Sequence, residues 1–143
     1  MSEATELASD LRVVIGQLVR RLRAERRGLS LSQVTVLGLL DRARSASISD
    51  LAAADRVRPQ SMAATVAAMQ AAGLIARSAD AADRRRVLIT LTASGRSALA
   101  DDRARRVGWL AAAIERDLTP RERRDLARAV ALLRRLAEDE RPA

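Results

Sequence analysis

The N-terminal stretch of the chain places apolar side chains at the period of an α-helix. Six of them recur at steps of three and four residues: Leu7, Leu11, Val14, Ile15, Leu18 and Leu22. This spacing predicts a first helix over about residues 6–26, which Gly28 ends. The opposite face carries arginines, so the apolar stripe is available either for packing within the chain or for contact with a partner subunit.

Capping sequences divide the next stretch into two shorter helices. Ser30 followed by Gln33 is a capping box, which predicts the start of a second helix. Ser47, with Asp50 three residues later, predicts the cap of a third helix over about residues 48–55. The two residues before Ser47 are predicted to form only a link.

A fourth helix is predicted to begin at Pro59 and to end at Gly73, since proline fits the first helical position. Met62, Val66 and Met69 recur with helical spacing and are predicted to face the core, where methionine is more common than in binding sites. The residues left on the outer face are small or polar: Arg58, Gln60, Ser61, Ala64, Thr65 and Ala68.

Two apolar strands joined by a polar tip follow the fourth helix. The first is predicted over residues 74–77, the tip over 78–86 and the second strand over 87–92. Two short helices followed by such a hairpin form a winged helix-turn-helix. We therefore expect a mainly α fold with a small β-hairpin wing.

Two long helices complete the pattern. Thr92 is predicted to cap a fifth helix that reaches about Asp117. Thr119 with Pro120 and Glu122 is a capping box that predicts the start of a sixth helix. One apolar stripe runs along that helix: Leu126, Val130, Leu133 and Leu136.

Composition limits the classes of function. The chain has 143 residues, a net charge of +8, no cysteine and no histidine. These absences remove disulfides and the commonest metal ligand, so we expect no metal and no cofactor. They also make a nucleophile–base pair hard to build, and the adjacent Asp101 and Asp102 point in different directions on a helix. An enzyme is therefore disfavoured.

The chain offers no apolar run of the roughly 20 residues that cross a bilayer. Its first residues are acidic, unlike a signal peptide. We expect a cytoplasmic protein without membrane contact.

The positive charge is concentrated on the hairpin unit. Between residues 56 and 86 there are six arginines against two aspartates, a balance of +4. Such clustering is the electrostatic footprint of a DNA-binding protein, although any single arginine is more often solvated surface.

Three motifs within 23 residues resemble the signature of the MarR (multiple antibiotic resistance regulator) family. They are GLIAR at residues 73–77, DRR at 83–85 and LTASG at 91–95. The family shows a Gly-Leu-hydrophobic-x-Arg strand, an Asp-x-Arg wing and a Leu-Thr-x-x-Gly helix start in this order. Each motif alone is weak, but three in register are specific. The flanking helices extend the resemblance over nearly the whole chain.

This resemblance implies contacts to double-stranded DNA from the fourth helix and the wing. Arg58 suits guanine and Gln60 suits adenine. Where the family often has Thr-x-x-Arg, this chain has Ser61 and then Ala64, so more of the base reading falls on the remaining polar residues. The full set of DNA-binding candidates is Ser49, Arg56, Arg58, Gln60, Ser61, Thr65, Arg77, Asp83, Arg84, Arg85 and Arg86.

Three of these candidates carry more specific expectations. By resemblance Asp83 orients Arg85, which enters the minor groove, and a carboxylate two residues away can fix a guanidinium rotamer. Arg84 and Arg86 are expected on the other face of the ribbon, as phosphate contacts. The tip has Ala81 where the family often has proline. Ser49 is either a phosphate donor or a second local cap.

The resemblance also implies a homodimer. We expect one domain over residues 1–143, with dimerisation helices at 6–27 and 96–140 and a DNA-binding lobe at 30–95. The candidate dimerisation residues are Leu7, Leu11, Leu18, Leu126, Val130, Leu133 and Leu136.

The family further implies a repressor that binds a pseudo-palindromic operator and is released by a small hydrophobic or aromatic effector. Trp109, the only aromatic residue, either walls the effector pocket or packs at an interface. An architectural DNA-binding protein without an effector is the alternative.

Overall fold

The computed structural model describes residues 1–26 and 28–138, which form six helices and three short strands. In chain order these are α1 (Glu3–Ala24), α2 (Leu31–Ala43), β1 (Ser45–Ala46), α3 (Ile48–Asp55), α4 (Pro59–Ala71), β2 (Ile75–Ala79), β3 (Val87–Leu91), α5 (Ala93–Asp117) and α6 (Pro120–Ala137). The mainly α winged helix-turn-helix fold is confirmed. The outer ends of the predicted dimerisation segments, residues 27 and 140, lie outside the described residues.

The chain divides into two compact units, Met1–Arg106 and Val107–Ala143, with the boundary inside α5. The first unit contains the winged helix-turn-helix. The second contains the end of α5 and all of α6. Within the described ranges, none of the helices is long and apolar enough to cross a membrane.

Local caps set the starts of three helices as predicted. Capping boxes open α2, α3 and α6. In α6, the Thr119 hydroxyl accepts the N–H of Glu122 at 3.3 Å and the Glu122 carboxylate accepts the N–H of Thr119 at 2.7 Å. Both hydrogen bonds lower the pKa of Glu122, and the bond from the backbone N–H of Thr119 has the larger effect. Their stabilising effect is therefore present above the ordinary glutamate pKa and is lost only as the pH falls through the lowered value.

Two predicted boundaries differ from the structure. α1 begins at Glu3 rather than near residue 6, because Ser2 caps it by accepting the N–H of Thr5 at 3.3 Å. The two residues predicted to be a link form β1 instead. Ser45 pairs with Thr90 of β3, so the wing is part of a three-stranded antiparallel sheet in the order β1-β3-β2.

The hydrophobic core of the first unit joins the three helices of the DNA-binding lobe to the two wing strands and the start of α5. Its buried side chains are Val36, Leu37 and Leu40 of α2, Leu51 and Ala52 of α3, Met62, Val66 and Met69 of α4, Ile75 of β2, Ile89 of β3 and Leu99 of α5. The prediction for the methionine face of α4 is confirmed. Since that face is buried, the opposite face of α4 is turned outward.

The start of α5 shows why glycine occupies position 95. The Thr92 hydroxyl accepts the N–H of Gly95 at 3.0 Å and donates to the carbonyl of Gly73 at 2.6 Å. This bridge brings the chain after α4 against the first turn of α5. A Cβ on Gly95 would overlap the carbonyl oxygen of Leu74 and lie 3.3 Å from a methyl group of Leu91.

Gly95→Ala is expected to lower the free energy of unfolding by about 3 kcal/mol, since backbone must move to make room. For a chain of this size the melting temperature should fall by roughly 10 °C, as measured by circular dichroism. Gly108→Ala is the control, because a Cβ there meets nothing within 4 Å. Equal melting temperatures for the two variants would contradict the contact at Gly95.

Candidate DNA-binding interface

The first turn of α4 is exposed and is not capped by a side chain. Arg58 precedes the helix in an extended conformation, and its side chain makes no capping hydrogen bond. Arg58, Gln60 and Ser61 are all exposed, whereas Met62 is buried. The backbone N–H groups and polar side chains at this end of α4 can therefore face an anionic ligand such as DNA.

Thr65 is less available than predicted. Its side chain is half-buried, and its hydroxyl donates to the carbonyl of Ser61 at 3.2 Å. The oxygen of that hydroxyl can still accept a hydrogen bond, but its proton is used inside the helix. Among the predicted base-reading residues of α4, Arg58, Gln60 and Ser61 are therefore the exposed ones.

The turn between α3 and α4 depends on a left-handed residue. Arg56 has φ 54° and ψ 42°, and it ends α3. The N–H of the next residue, Val57, donates to the carbonyl of Ala52 at 3.0 Å and closes the turn. Glycine usually occupies such a position, so an arginine there does not indicate a left-handed turn. The exposed Arg56 side chain lies at the start of the turn that leads into α4.

Two aspartates order the tip of the wing. Asp80 accepts the N–H of Ala82 at 2.9 Å, and Asp83 accepts the N–H of Arg85 at 3.0 Å. Each bond joins a carboxylate to the backbone two residues later, which is an Asx turn. The hydrogen bond of Asp80 therefore shapes the tip at the position where the family often has proline.

The contact between Asp83 and Arg85 differs from the prediction. In the structure, the Asp83 carboxylate accepts a hydrogen bond from the backbone N–H of Arg85 rather than from its guanidinium. Arg84 and Arg85 are both exposed, as is Arg77 on β2. The predicted minor-groove role of Arg85 stays a prediction.

Arg86 has a protein partner that sequence reasoning missed. Its guanidinium donates to the carboxylate of Asp50 at 2.5 Å. Asp50 also accepts the N–H of Ser47 at 3.2 Å and donates its own N–H to the Ser47 hydroxyl at 3.1 Å. The hydrogen bonds with Ser47 lower the pKa of Asp50 most, and the positive charge of Arg86 lowers it further. The carboxylate is therefore ionised at neutral pH.

Ser47, rather than Ser49, makes the cap of α3. The side chain of Ser49 is exposed at the first turn of that helix. Its alternative role as a phosphate donor stays a prediction.

A second charged cluster lies inside the first unit. Asp102 is fully buried, and the Arg106 guanidinium lies 2.6 Å from its carboxylate. Burial lowers the pKa of Arg26, and the charge of Asp102 opposes that shift. Asp101 is exposed, so the two adjacent aspartates point in different directions as predicted. Asp102 is thus held by an arginine rather than paired with a second carboxylate for catalysis.

Two open cavities in the first unit are lined with arginine. One, of about 320 Å³, is lined by residues that include Arg44, Arg96 and Leu91. The other, of about 280 Å³, lies between α2 and α5, where Arg42, Arg103 and Arg106 surround apolar side chains such as Leu99. Neither is lined by Trp109, which is half-buried in the second unit.

The candidate dimerisation residues are not buried within the chain. Leu7 is 66% exposed and Leu136 is 69% exposed. Leu18, Leu126 and Val130 are also exposed, while Leu11 and Leu133 are half-buried. Both α1 and α6 therefore present apolar side chains to solvent in the single chain.

Comparison with known proteins agrees with this geometry. The MarR family model matches residues 29–87. An uncharacterised HTH-type transcriptional regulator of Mycobacterium bovis is 35% identical over 139 residues, which cover 95% of each protein. The crystal structure of a candidate transcriptional regulator from Pseudomonas aeruginosa is 38% identical, covers 99% of both chains and has a TM-score of 0.86.

A further solved structure is that of Bordetella bronchiseptica BpsR, whose DNA binding is regulated by 6-hydroxynicotinic acid. It is 25% identical, with a TM-score of 0.61, over 90% of this chain and 99% of its own. The winged helix, the exposed first turn of α4 and these relatives lead to one conclusion. The chain belongs to the MarR family of DNA-binding transcriptional regulators and is not an enzyme.

Proposed function

We propose that two copies of the chain form a homodimer that acts in the cytoplasm as a repressor at a pseudo-palindromic operator. One observation carries the proposal: a complete winged helix with an exposed first turn of α4 occurs in a chain whose α1 and α6 expose leucine stripes. Exposed apolar side chains along two helices favour a subunit interface. A two-fold dimer would place two α4 helices about one DNA turn, roughly 34 Å, apart.

Repression would follow from steric occupation of a promoter. Arg58, Gln60 and Ser61 would read bases in the major groove, since they form the exposed first turn of α4. Arg84 and Arg85 on the wing would contact the backbone and the adjacent minor groove.

An anionic effector suits the cavity between α2 and α5 better than a purely hydrophobic one. Three arginines line this cavity beside apolar side chains, and two of them already have a carboxylate partner, Arg103 with Asp41 and Arg106 with Asp102. A ligand carboxylate would therefore pair with Arg42. A carboxylate on a small aromatic or aliphatic body would match both features. The regulation of BpsR by 6-hydroxynicotinic acid supports this class of ligand. Such a ligand would release DNA only if it bound one spacing of the two α4 helices more tightly than the other.

Selection from a random duplex library tests the proposed function. The expected product is a small set of sequences with two inverted half-sites whose centres are about 10 base pairs apart. Recovery of unrelated sequences with uniform affinity would contradict the proposal and favour the architectural alternative.

Arg58→Ala is expected to relax the preference at one base of each half-site, with a loss of about 1–3 kcal/mol per contact. Arg105→Ala is the matched control, because Arg105 is exposed on α5 outside the winged helix. It removes the same charge and should return the parent motif. An unchanged motif for Arg58→Ala in the same selection would remove Arg58 from base reading.

A further inference from the structure

The ion pair between Arg86 and Asp50 ties the wing to α3. The two residues are 36 positions apart in sequence, and their charged groups lie 2.5 Å apart. Arg86 immediately precedes β3, whereas Asp50 lies in the first turn of α3. The pair therefore joins the end of the wing tip to the helix that precedes the recognition helix.

The other end of β3 is tied to the same segment of the chain. Thr90 of β3 pairs with Ser45 of β1, and β1 leads directly into the cap of α3. One strand of the wing is thus attached near both of its ends to residues 45–50. The middle of β3 is fixed by Ile89 in the core and by pairing with β2, so the ion pair of Arg86 acts at the end of the strand nearest the wing tip.

The Asp50 side chain is ordered by a contact that does not involve Arg86. Its carboxylate accepts the N–H of Ser47 within the capping box. A carboxylate already ordered in this way loses little further conformational freedom when it forms an ion pair. The pair is about half exposed on both sides, so its effect on overall stability is expected to be small.

We propose that Arg86 is a positioning residue, which fixes the wing against α3 through Asp50 and so sets where Arg84 and Arg85 meet DNA. Arg86 itself neutralises no phosphate. This inference rests on the proposed function, because it assigns a role within operator binding. It changes the role that sequence reasoning gave Arg86.

The two roles of Arg86 make opposite predictions for Asp50→Asn. If Arg86 binds phosphate, Asp50 is only a negative charge near DNA, and its removal should tighten binding to every duplex. If Arg86 positions the wing, removal of the carboxylate releases the wing and weakens binding to the operator. Asparagine retains a side-chain oxygen for the cap of α3, so the helix is preserved.

The experiment measures Asp50→Asn, Arg86→Gln and the double variant against a selected operator duplex and a scrambled one, by fluorescence anisotropy. Each single variant is expected to lower the ratio of operator to scrambled affinity by three- to tenfold, within the range of coupling energies between contacting residues. The double variant should lose no more than either single variant, because both remove the same contact. Melting temperatures should agree within a few degrees, which separates wing positioning from unfolding.

Salt dependence supplies the second measurement. A lost phosphate contact in each subunit would make the slope of log K against log salt shallower by about 1.8 for the dimer, from about 0.9 per phosphate. A positioning role predicts that Arg86→Gln changes the slope by less than half of that. Arg86→Lys, which keeps the charge, should recover part of the operator preference.

Tighter binding of Asp50→Asn to both duplexes, or a slope for Arg86→Gln that is shallower by the full amount, would overturn the positioning role. Additive losses in the double variant would do the same. A wild-type protein that does not distinguish the two duplexes would instead overturn the proposed function, and this inference with it.

Discussion

The affinity of the protein for an operator duplex is expected to fall by between four and five decades when the salt concentration rises tenfold. Each subunit exposes five arginines whose charge can displace counterions from DNA, at a phosphate or in a groove, once Arg86 is set aside: Arg56, Arg58, Arg77, Arg84 and Arg85. If about half of them engage, a dimer neutralises roughly five phosphates, and at about 0.9 per phosphate the slope of log K against log salt is near −4.5. The physical cause is the release of condensed counterions from DNA.

Anisotropy titrations with an operator duplex at several salt concentrations measure this slope. A slope shallower than about −2 would mean that the arginines are mostly solvated surface. Arg85→Ala tests whether the wing contributes to this affinity. The variant should bind the operator at least tenfold more weakly, because it loses the wing contact. Arg105→Ala again serves as the control for removal of one exposed charge, and an equal effect of both variants would count against the wing.

Val130→Arg is expected to abolish both the dimer and tight operator binding. Val130 is 47% exposed on the apolar stripe of α6, so the substitution leaves the single chain folded but introduces a charge into the proposed interface. Loss of the second half-site should reduce operator affinity by a factor of about 10²–10⁴, since binding is no longer bivalent. Removal of the chain after Asp117 should have the same effect.

Ala131→Arg is the matched control for this substitution. Ala131 is exposed and lies about 100° around the helix from Val130, away from the stripe that includes Leu126 and Leu133. Light scattering after size exclusion should show a monomer for Val130→Arg and a dimer for Ala131→Arg. A folded, monomeric Val130→Arg that still binds the operator with wild-type affinity would contradict the role of the dimer in DNA binding.

The residue patterns near most helix starts, although not that of α1, were sufficient to predict most of the fold. Capping boxes at Ser30, Ser47 and Thr119 act over three residues, so the sequence contains both partners of each contact. The spacing of Met62, Val66 and Met69 likewise predicted which face of α4 is buried. Because the prediction of the buried face was correct, the prediction of which residues are exposed at the first turn of α4 was correct as well. The sequence contains the Leu-Thr-x-x-Gly motif, but only the structure explains its glycine. The carbonyl oxygen of Leu74 lies where a Cβ at position 95 would be.

Tertiary structure alone decided the contacts between distant parts of the chain. The two residues of β1 carry no strand pattern of their own, and they pair with β3 only because the fold brings Ser45 to Thr90. The partner of Arg86 is likewise an aspartate 36 residues earlier. In sequence, three consecutive arginines at the wing tip look equivalent, since each has the same charge and nearly the same neighbours. The fold separates them, because it places the Asp50 carboxylate within reach of Arg86.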